Sequence, residues 1–527
     1  MTRTIICGIA MAIAARSMAQ ITFQRVLGGV SDDEGTCATL TSDGGYVIGG
    51  YTNSPGSPGD AWFLKLDATG TVLWSRTFGD AGSEKAYDIK EHPNGQLWCT
   101  GSSDLNADGN QEAFLLIMDA AGFPVSTQVF DPPGVAEGMN FVFTADGGAA
   151  LTMFAQFPGY KYGVVRLDQN GALLWKQNYA TSIYTYGGGV VERPNGELLC
   201  VGAAYQTQYD LLLLRLDPNG VALSSPYWAG PGNQDEGAFV IEALDDEGYV
   251  IAGETHGQGA GLDNVLLMRM DSSLNTTWAR AYGTAGRSLR SFAAGQTPDG
   301  GFFSGVHDYT GDGAEDMGLV RTDANGDLLW TRAYGAPGVD VCHKAIACPD
   351  GGFLVVGYTE SFGSSGRDMY LVKTDASGNV SEGAQFCYSA AGALSGAVFS
   401  HTIGLFGILT SDVMTVSEPI VSGVTYAPAR DTVLCADIST GLAESELGSR
   451  LTIFPVPCID RVTVDLDVVP KDVVDLQLLD AVGRMILSER TTARTCTLDL
   501  SDVPAGEYLL VARTADRARS HRLAVVH

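Results

Sequence analysis

The sequence predicts an all-β chain, a seven-bladed β-propeller followed by a small C-terminal β-sandwich, on three observations. First, a module of about 50 residues recurs seven times. Its Asp/Asn-Gly turn signal stands at Asp43, Asn94, Asp146, Asn195, Asp246 (as Asp-Glu-Gly), Asp299 and Asp350. An aspartate closing a hydrophobic run keeps the same phase at Asp67, Asp119, Asp168, Asp217, Asp271, Asp323 and Asp375, and a tryptophan follows seven residues later at Trp74, Trp175, Trp278 and Trp330. A fixed period of this length, with several strands per unit, is the mark of a propeller-type array rather than of one large core. Second, each module resolves into four short runs rich in β-branched and aromatic residues, in the first module 36–41, 46–51, 61–67 and 72–78. Third, the seventh module runs out before its fourth strand. The segment 21–29, ITFQRVLGG, resembles the fourth strand of the sixth module, WTRAYG, and is expected to close the ring. Closure of this kind removes an open sheet edge.

In chain order, residues 1–19 carry Arg3, an apolar run from Ile5 to Ala15 and a small-residue site at Ser17-Met-Ala19. That is the pattern of a secretory signal peptide, too short for a membrane span. Residues 20–386 are assigned to the propeller. Within a module the first and second strands join through the tight Asp/Asn-Gly hairpin, and the third and fourth through Asp-x-x-Gly. Both tight turns fall on one face of the array. The other face receives the longer loops between second and third strands and between modules, where function on a rigid β scaffold usually resides.

A formal charge of −29 and a pI near 4.4 argue against nucleic acid as partner. After removal of Cys7 nine cysteines remain, an odd number for an exported chain. Cys99 and Cys200 share one repeat position and read as buried structural thiols, while Cys387–Cys435 and Cys458–Cys496 are pairs suggested by domain membership alone.

The metal candidate is the loop Asp104-Leu-Asn106-Ala-Asp108-Gly-Asn110-Gln-Glu112, whose oxygen side chains at alternate positions suit a hard cation such as Ca²⁺. The alternative is a solvated polar turn. The loop 307–316 is a weaker echo. The repeated tryptophans read as packing between neighbouring modules, not as cofactor contacts. The acidic residues Asp32, Asp33, Glu34, Glu84, Glu137, Asp235, Glu236 and Asp340 gather in the inter-module loops, where a solvated rim is the plain reading and a carboxylate pair the catalytic one. The histidines are scattered, and no HExxH, nucleophile elbow or phosphate loop is present.

From 387 to 448 the period is lost; 413–428 and 432–438 have the composition of strands, but the stretch reads as a semi-ordered connector. From 451 a compact β pattern of about seven short strands begins. Phe454-Pro455-Val-Pro457, Leu479-Asp-Ala-Val-Gly483-Arg, Leu500-Ser-Asp-Val-Pro-Ala-Gly506-Glu-Tyr508 and the terminal Arg522-Leu-Ala-Val-Val-His527 together resemble the C-terminal sorting domain of the type IX secretion system of Bacteroidetes-type bacteria. The resemblance covers 449–527. Family members usually carry Pro-Asn-Pro where this chain has Pro455-Val-Pro457. The family implies export across the outer membrane by the type IX machinery, followed by release or display at the cell surface.

Every clear motif is architectural, so the expected function is a non-enzymatic binding, adhesion or scaffold module for a glycan or protein ligand. No membrane span is expected in the mature chain. The alternative is an extracellular, glycosidase-like hydrolase using carboxylates on the loop face.

Overall fold

The computed structural model describes residues 21–380 apart from short loop segments, the strands between 390 and 438, and most of 452–525. Residues 1–20, with the expected signal peptide, lie outside the described residues. Two compact units emerge, one over Ile21–Asp437 and one from Ile438 to His527.

Among the described residues the larger unit holds seven antiparallel sheets. Six follow the chain directly, spanning 33–78, 84–131, 135–179, 185–230, 236–283 and 289–334; the seventh combines 340–373 with Ile21–Gly28. We call them sheets 1 to 7. The first strand of each sheet touches the first strand of the next, and that of sheet 7 touches that of sheet 1. Each interface between neighbouring sheets holds its own apolar cluster, for example Val47, Phe63, Ile89 and Phe114 between sheets 1 and 2, or Val250, Leu267, Phe302 and Val320 between sheets 5 and 6. Strands covered on both faces therefore lose the alternation of a half-exposed sheet: Leu97–Ser103 and Glu112–Met118 are buried throughout. The all-β unit is propeller-like, with its apolar core divided between the sheets.

The repeat markers each have a physical role. The hairpin aspartate accepts from its own turn, as Asp43 Oδ1 does from the Gly45 amide (3.0 Å). It also pairs with a cation at the end of the third strand, buried in every case but Arg269, which is half-buried. The pairs are Lys65–Asp43 (2.7 Å), Arg166–Asp146 (2.6 Å), Arg269–Asp246, Arg321–Asp299 and Lys373–Asp350 (2.7 Å). The second aspartate ties the other turn: Asp323 Oδ1 accepts from the Asn325 and Asp327 amides (2.8 and 2.9 Å), the side-chain turn that aspartate favours. The tryptophan reaches the following sheet. The indole N–H groups of Trp74, Trp175 and Trp278 donate to the carbonyls of Ala120, Pro218 and Ala324 (3.3, 2.8 and 3.1 Å). Fourth-strand tyrosines add a bond to the same turn, Tyr282 to the Gly326 carbonyl (2.5 Å) and Tyr334 to the Gly378 carbonyl (2.8 Å).

Ile21–Gly28 pairs antiparallel with Asp368–Lys373, Gln24 opposite Val372. Phe23 occupies the place of the repeat tryptophan, against Gly70 of sheet 1.

The stretch 387–448, expected as a semi-ordered connector with candidate strands at 413–428 and 432–438, contributes edge strands. Ala390–Ala391 lies on sheet 6, Ser395–Val398 on sheet 5 and Thr402–Leu405 on sheet 4. Thr415–Ser417 then lies on sheet 2, Gly423–Thr425 on sheet 1 and Arg430–Ile438 outside Ile21–Gly28 on sheet 7. Pieces of one strand-forming segment thus satisfy the outer backbone groups of sheets 6, 5, 4, 2, 1 and 7 in that order, against chain order, with sheet 3 passed over among the described residues. The closing strand is thereby flanked on both sides.

In the C-terminal unit a three-stranded sheet (Thr452–Phe454, Arg461–Asp465, Thr495–Asp499) and a four-stranded sheet (Val474–Leu479, Met485–Thr491, Gly506–Arg513, Ala518–Val525) share one apolar core. Cys496 is a free thiol rather than half of a pair with Cys458, which lies outside the described residues. The side chains of Cys387 and Cys435 also lie outside them. Cys99 and Cys200 are fully buried free thiols.

Candidate functional site

The pairing register places seven equivalent residue pairs at the loop-side ends of the first two strands. They are Glu34 opposite Tyr51, Lys85 opposite Ser102, Glu137 opposite Phe154, Tyr186 opposite Ala203, Gly237 opposite Glu254, Arg290 opposite His307, and Val341 opposite Tyr358. These positions are rich in aromatic and charged residues, and most stay partly accessible. Neighbouring sheets meet through them: the Lys85 ammonium sits 4.3 Å over the Tyr51 ring, and Phe154 stacks on Tyr186 at 5.6 Å.

From sheet 5 round to sheet 1 the ends form an ionic and imidazole network. The Arg367 guanidinium binds Glu34 (2.6 Å) and lies 4.5 Å over Tyr358. Burial alone would raise the Glu34 carboxyl, but the facing His343 and the Arg367 guanidinium outweigh it and hold the group at about 2. The His343 ring lies 5.5 Å from that of His307. Burial, with the nearby His343 and Arg290, pushes His307 down to about 3. His307 is therefore a neutral imidazole at any ordinary pH. Its Nδ1 stands 3.2 Å from the Cys342 carbonyl and so carries the proton, leaving Nε2 as an acceptor. The Tyr309 hydroxyl reaches two carboxylates, Asp263 (2.8 Å) and Glu254 (3.1 Å), beneath the Arg290 guanidinium at 4.2 Å from its ring. His256 closes on Asp263 at 3.1 Å. Burial raises Glu254. Across sheets 3 and 4 the same ends are aromatic, with Phe154, Tyr160, Tyr184, Tyr186, Tyr205 and Tyr209 in mutual contact.

Deeper along the first strands, Asp88 of sheet 2 gathers Lys90 (3.2 Å), Lys344 of sheet 7 (3.8 Å) and the Asn140 amide of sheet 3 (2.9 Å). Since sheets 2 and 7 are not neighbours, this network spans the axis. It ties the first strands together below the loop-side ends.

The acidic residues singled out from sequence separate into two kinds. Glu34 and Glu137 belong to the ring of strand ends, whereas Asp33, Glu236 and Asp340 are buried at sheet junctions. Asp316 and Asp340 both approach the position of a Gly335 side chain. Glu236 has one oxygen without a hydrogen-bond partner, and burial, reinforced by Asp210 and Asp235, pushes its carboxyl up to about 9. Of the calcium candidates, Asn106 and Asp108 lie outside the described residues. Asp104 and Asn110 are described on either side of them, and Glu112 is buried at the start of its strand. Among the described residues no three His, Cys, Asp or Glu side chains form a metal-binding group. The three histidines of the network were missed from sequence. The repeat phase was a signal for one of them: His307 falls in phase with Glu254 and Tyr358, 53 and 51 residues away.

Of the sorting-domain residues, Pro455, Pro457 and Gly483 lie outside the described residues. Gly506 opens the strand Gly506–Arg513, and the buried Tyr508 donates to the Pro504 carbonyl (2.8 Å).

No curated protein sequence matches this chain. Among solved structures it is similar to the extracellular domain of a putative hybrid two-component system from B. thetaiotaomicron (9% identity, 95% of this chain and 58% of that one, TM-score 0.43). It is also similar to the periplasmic gluconolactonase PpgL of Pseudomonas aeruginosa (14%, 72% and 100%, 0.40) and to PorZ, a surface component of the type IX secretion system of Porphyromonas gingivalis (10%, 94% and 81%, 0.27). Residues 452–526 match the family model of the secretion system C-terminal sorting domain. With its C-terminal β unit a type IX sorting domain, this is a protein exported by the type IX secretion machinery to the cell surface or the extracellular space.

Proposed function

We propose that the chain is a seven-bladed propeller carried out by its sorting domain, a small sandwich, to act as a binding or adhesion module, and that its ligand sits on the loop-side strand ends. The observation that carries this reading is the ring of aromatic and charged side chains at equivalent register positions, most of them partly accessible. A face serving only solubility would hold small polar or singly charged groups there, not stacked rings and paired ions. The cross-axis network around Asp88 supports a surface site at the mouth, above the tied first strands. The reading includes the removal of 1–19 as a signal peptide. It also includes Ca²⁺ at Asp104, Asn106, Asp108, Asn110 and Glu112, which the buried Glu112 carboxylate would help to hold.

The test is capture of the mature chain on immobilised extracellular glycans and proteins, comparing Arg367→Ala on the loop side with Asp323→Ala in a tight turn. Loss of capture in the first variant alone is expected; equal loss in both would refute the face assignment. Chelation by EDTA should lower the melting temperature, and a melt indifferent to EDTA removes calcium from the reading. The second reading, a hydrolase, is favoured by one feature, Tyr309 shared between Glu254 and Asp263. Turnover of a captured glycan, abolished by Glu254→Gln, would put it first.

A further inference from the structure

Six aromatic residues meet at the loop-side ends of sheets 3 and 4. Tyr160, Tyr184, Tyr205, Tyr209 and Tyr186 form a closed circuit, with successive centroids 5.0, 6.0, 5.2, 5.4 and 5.2 Å apart, the last returning to Tyr160. Phe154 lies against two of them, 5.1 Å from Tyr160 and 5.6 Å from Tyr186. None belongs to the apolar clusters packed between the sheets. Five are partly accessible, and Tyr184 is exposed at 36%. Tyrosines in a core normally hide the ring and bond the hydroxyl to backbone, as Tyr179 does with the Gly220 carbonyl (2.5 Å). Within the circuit the hydroxyls instead meet other side chains: Tyr186 and Tyr209 share a bond at 3.2 Å, and Gln156 donates to Tyr160 at 3.4 Å. Beside the rings stand Gln208 and the carboxylates Asp210 and Asp235, the latter accepting from the Tyr209 amide (2.8 Å).

Resting on the loop side being the binding face, we infer that this tyrosine platform takes a neutral, hydroxyl-rich polysaccharide, its sugar rings stacked on the aromatic faces. A pyranose offers a flat C–H face to such rings and hydroxyls to the phenol, amide and carboxylate groups around them. The chemistry of the platform selects against the other polymers outside a cell. Polyanions meet the local carboxylates and a chain of formal charge −29. A cationic polymer would be drawn by charge to the acidic surface at large, and its binding would not depend on the six rings and would weaken with salt. Several adjacent rings also suit an extended chain better than a single sugar, since each added stacked unit contributes.

The test is native affinity electrophoresis of the full chain in gels cast with a soluble neutral β-glucan, with polygalacturonate, or with polylysine. The parent and the variants Tyr184→Ala, Tyr160→Ala/Tyr186→Ala and Arg367→Ala are run side by side, each checked by its melting temperature. Retardation by the neutral glucan is expected, weakened roughly tenfold or more by either tyrosine change, as for a buried aromatic anchor. Tyr184→Ala, at the most exposed ring, keeps the test valid should the double variant fold poorly. Neutral-glucan retardation that is absent, or unchanged in both tyrosine variants, overturns the inference. Retardation by one of the charged polymers that Arg367→Ala abolishes and the tyrosine changes spare would overturn it while leaving the binding face standing. A parent indifferent to all three polymers overturns the inference, and the capture assay on immobilised proteins then decides the face separately.

Discussion

At Gly326 the backbone turns through a φ of +76°, and a Cβ there would lie 2.9 Å from the Trp278 ring of the preceding sheet. Gly326→Ala combines a left-handed backbone with a clash against the inter-sheet indole, and should cost about 1–3 kcal/mol in denaturant unfolding. A loss below a few tenths would mean that the turn does not clamp its neighbour. Charge at the sheet junctions gives a second expectation. Glu236 is held near 9 when folded and returns to about 4.5 when unfolded. The folded state therefore keeps a proton that the unfolded chain releases, so this contribution is complete below about 4.5 and is lost as pH rises toward 9. Asp33, Asp210, Asp316 and Asp340, also raised chiefly by burial, act with the same sign. Glu34, held at about 2, acts oppositely and only below the ordinary carboxylate range. The melting temperature should therefore fall from pH 5 to 9, and Glu236→Gln should flatten that fall. A Glu236→Gln profile parallel to the parent's would place the proton elsewhere.

At the scale of elements, the strands of each module were legible because turn chemistry and period agree. The expected 46–51 and 72–78 became Tyr46–Thr52 and Val72–Phe78. The place of Ile21–Gly28 was legible for a related reason: its pattern copies that of a fourth strand, and the last module lacked one. The edge strands of 390–438 were legible only as candidate strands within 413–428 and 432–438, and their pairing not at all. They are two to nine residues long, fall outside the period, and owe their conformation to partners tens to hundreds of residues away, from Ala333 for Ala390 to Phe78 for Gly423. Covering those edges protects otherwise open backbone donors and acceptors. A chain ending at 386 should thus melt lower, aggregate more and be cleaved sooner within 21–28 than one ending at 448. Equal behaviour of the two would show that the edge strands contribute nothing. The candidate site was legible only in part. Its loop-side location followed from the positions of the tight turns, but the joining of Glu34 to Arg367 depends on ring closure, which brings residues 333 positions apart to 2.6 Å.

For the whole molecule, two compact units divide the work. The C-terminal unit addresses the chain to the type IX machinery, and the seven-sheet unit presents the face proposed to meet the ligand. Among the described residues no helix is long and apolar enough to cross a membrane. The division also explains why function was harder to read than destination. Sorting residues are contiguous in sequence, whereas the proposed binding face takes one or two residues from each of seven modules. Hydrogen exchange of the mature chain, with and without a saturating neutral β-glucan, most directly tests whether the loop-side strand ends form the binding face. Slowed exchange should appear at 154–162, 184–186 and 203–210, with the tight turns at 43–45, 146–148 and 299–301 unchanged. Protection centred on those turns, or on the outer strands of 390–438, would contradict the assignment.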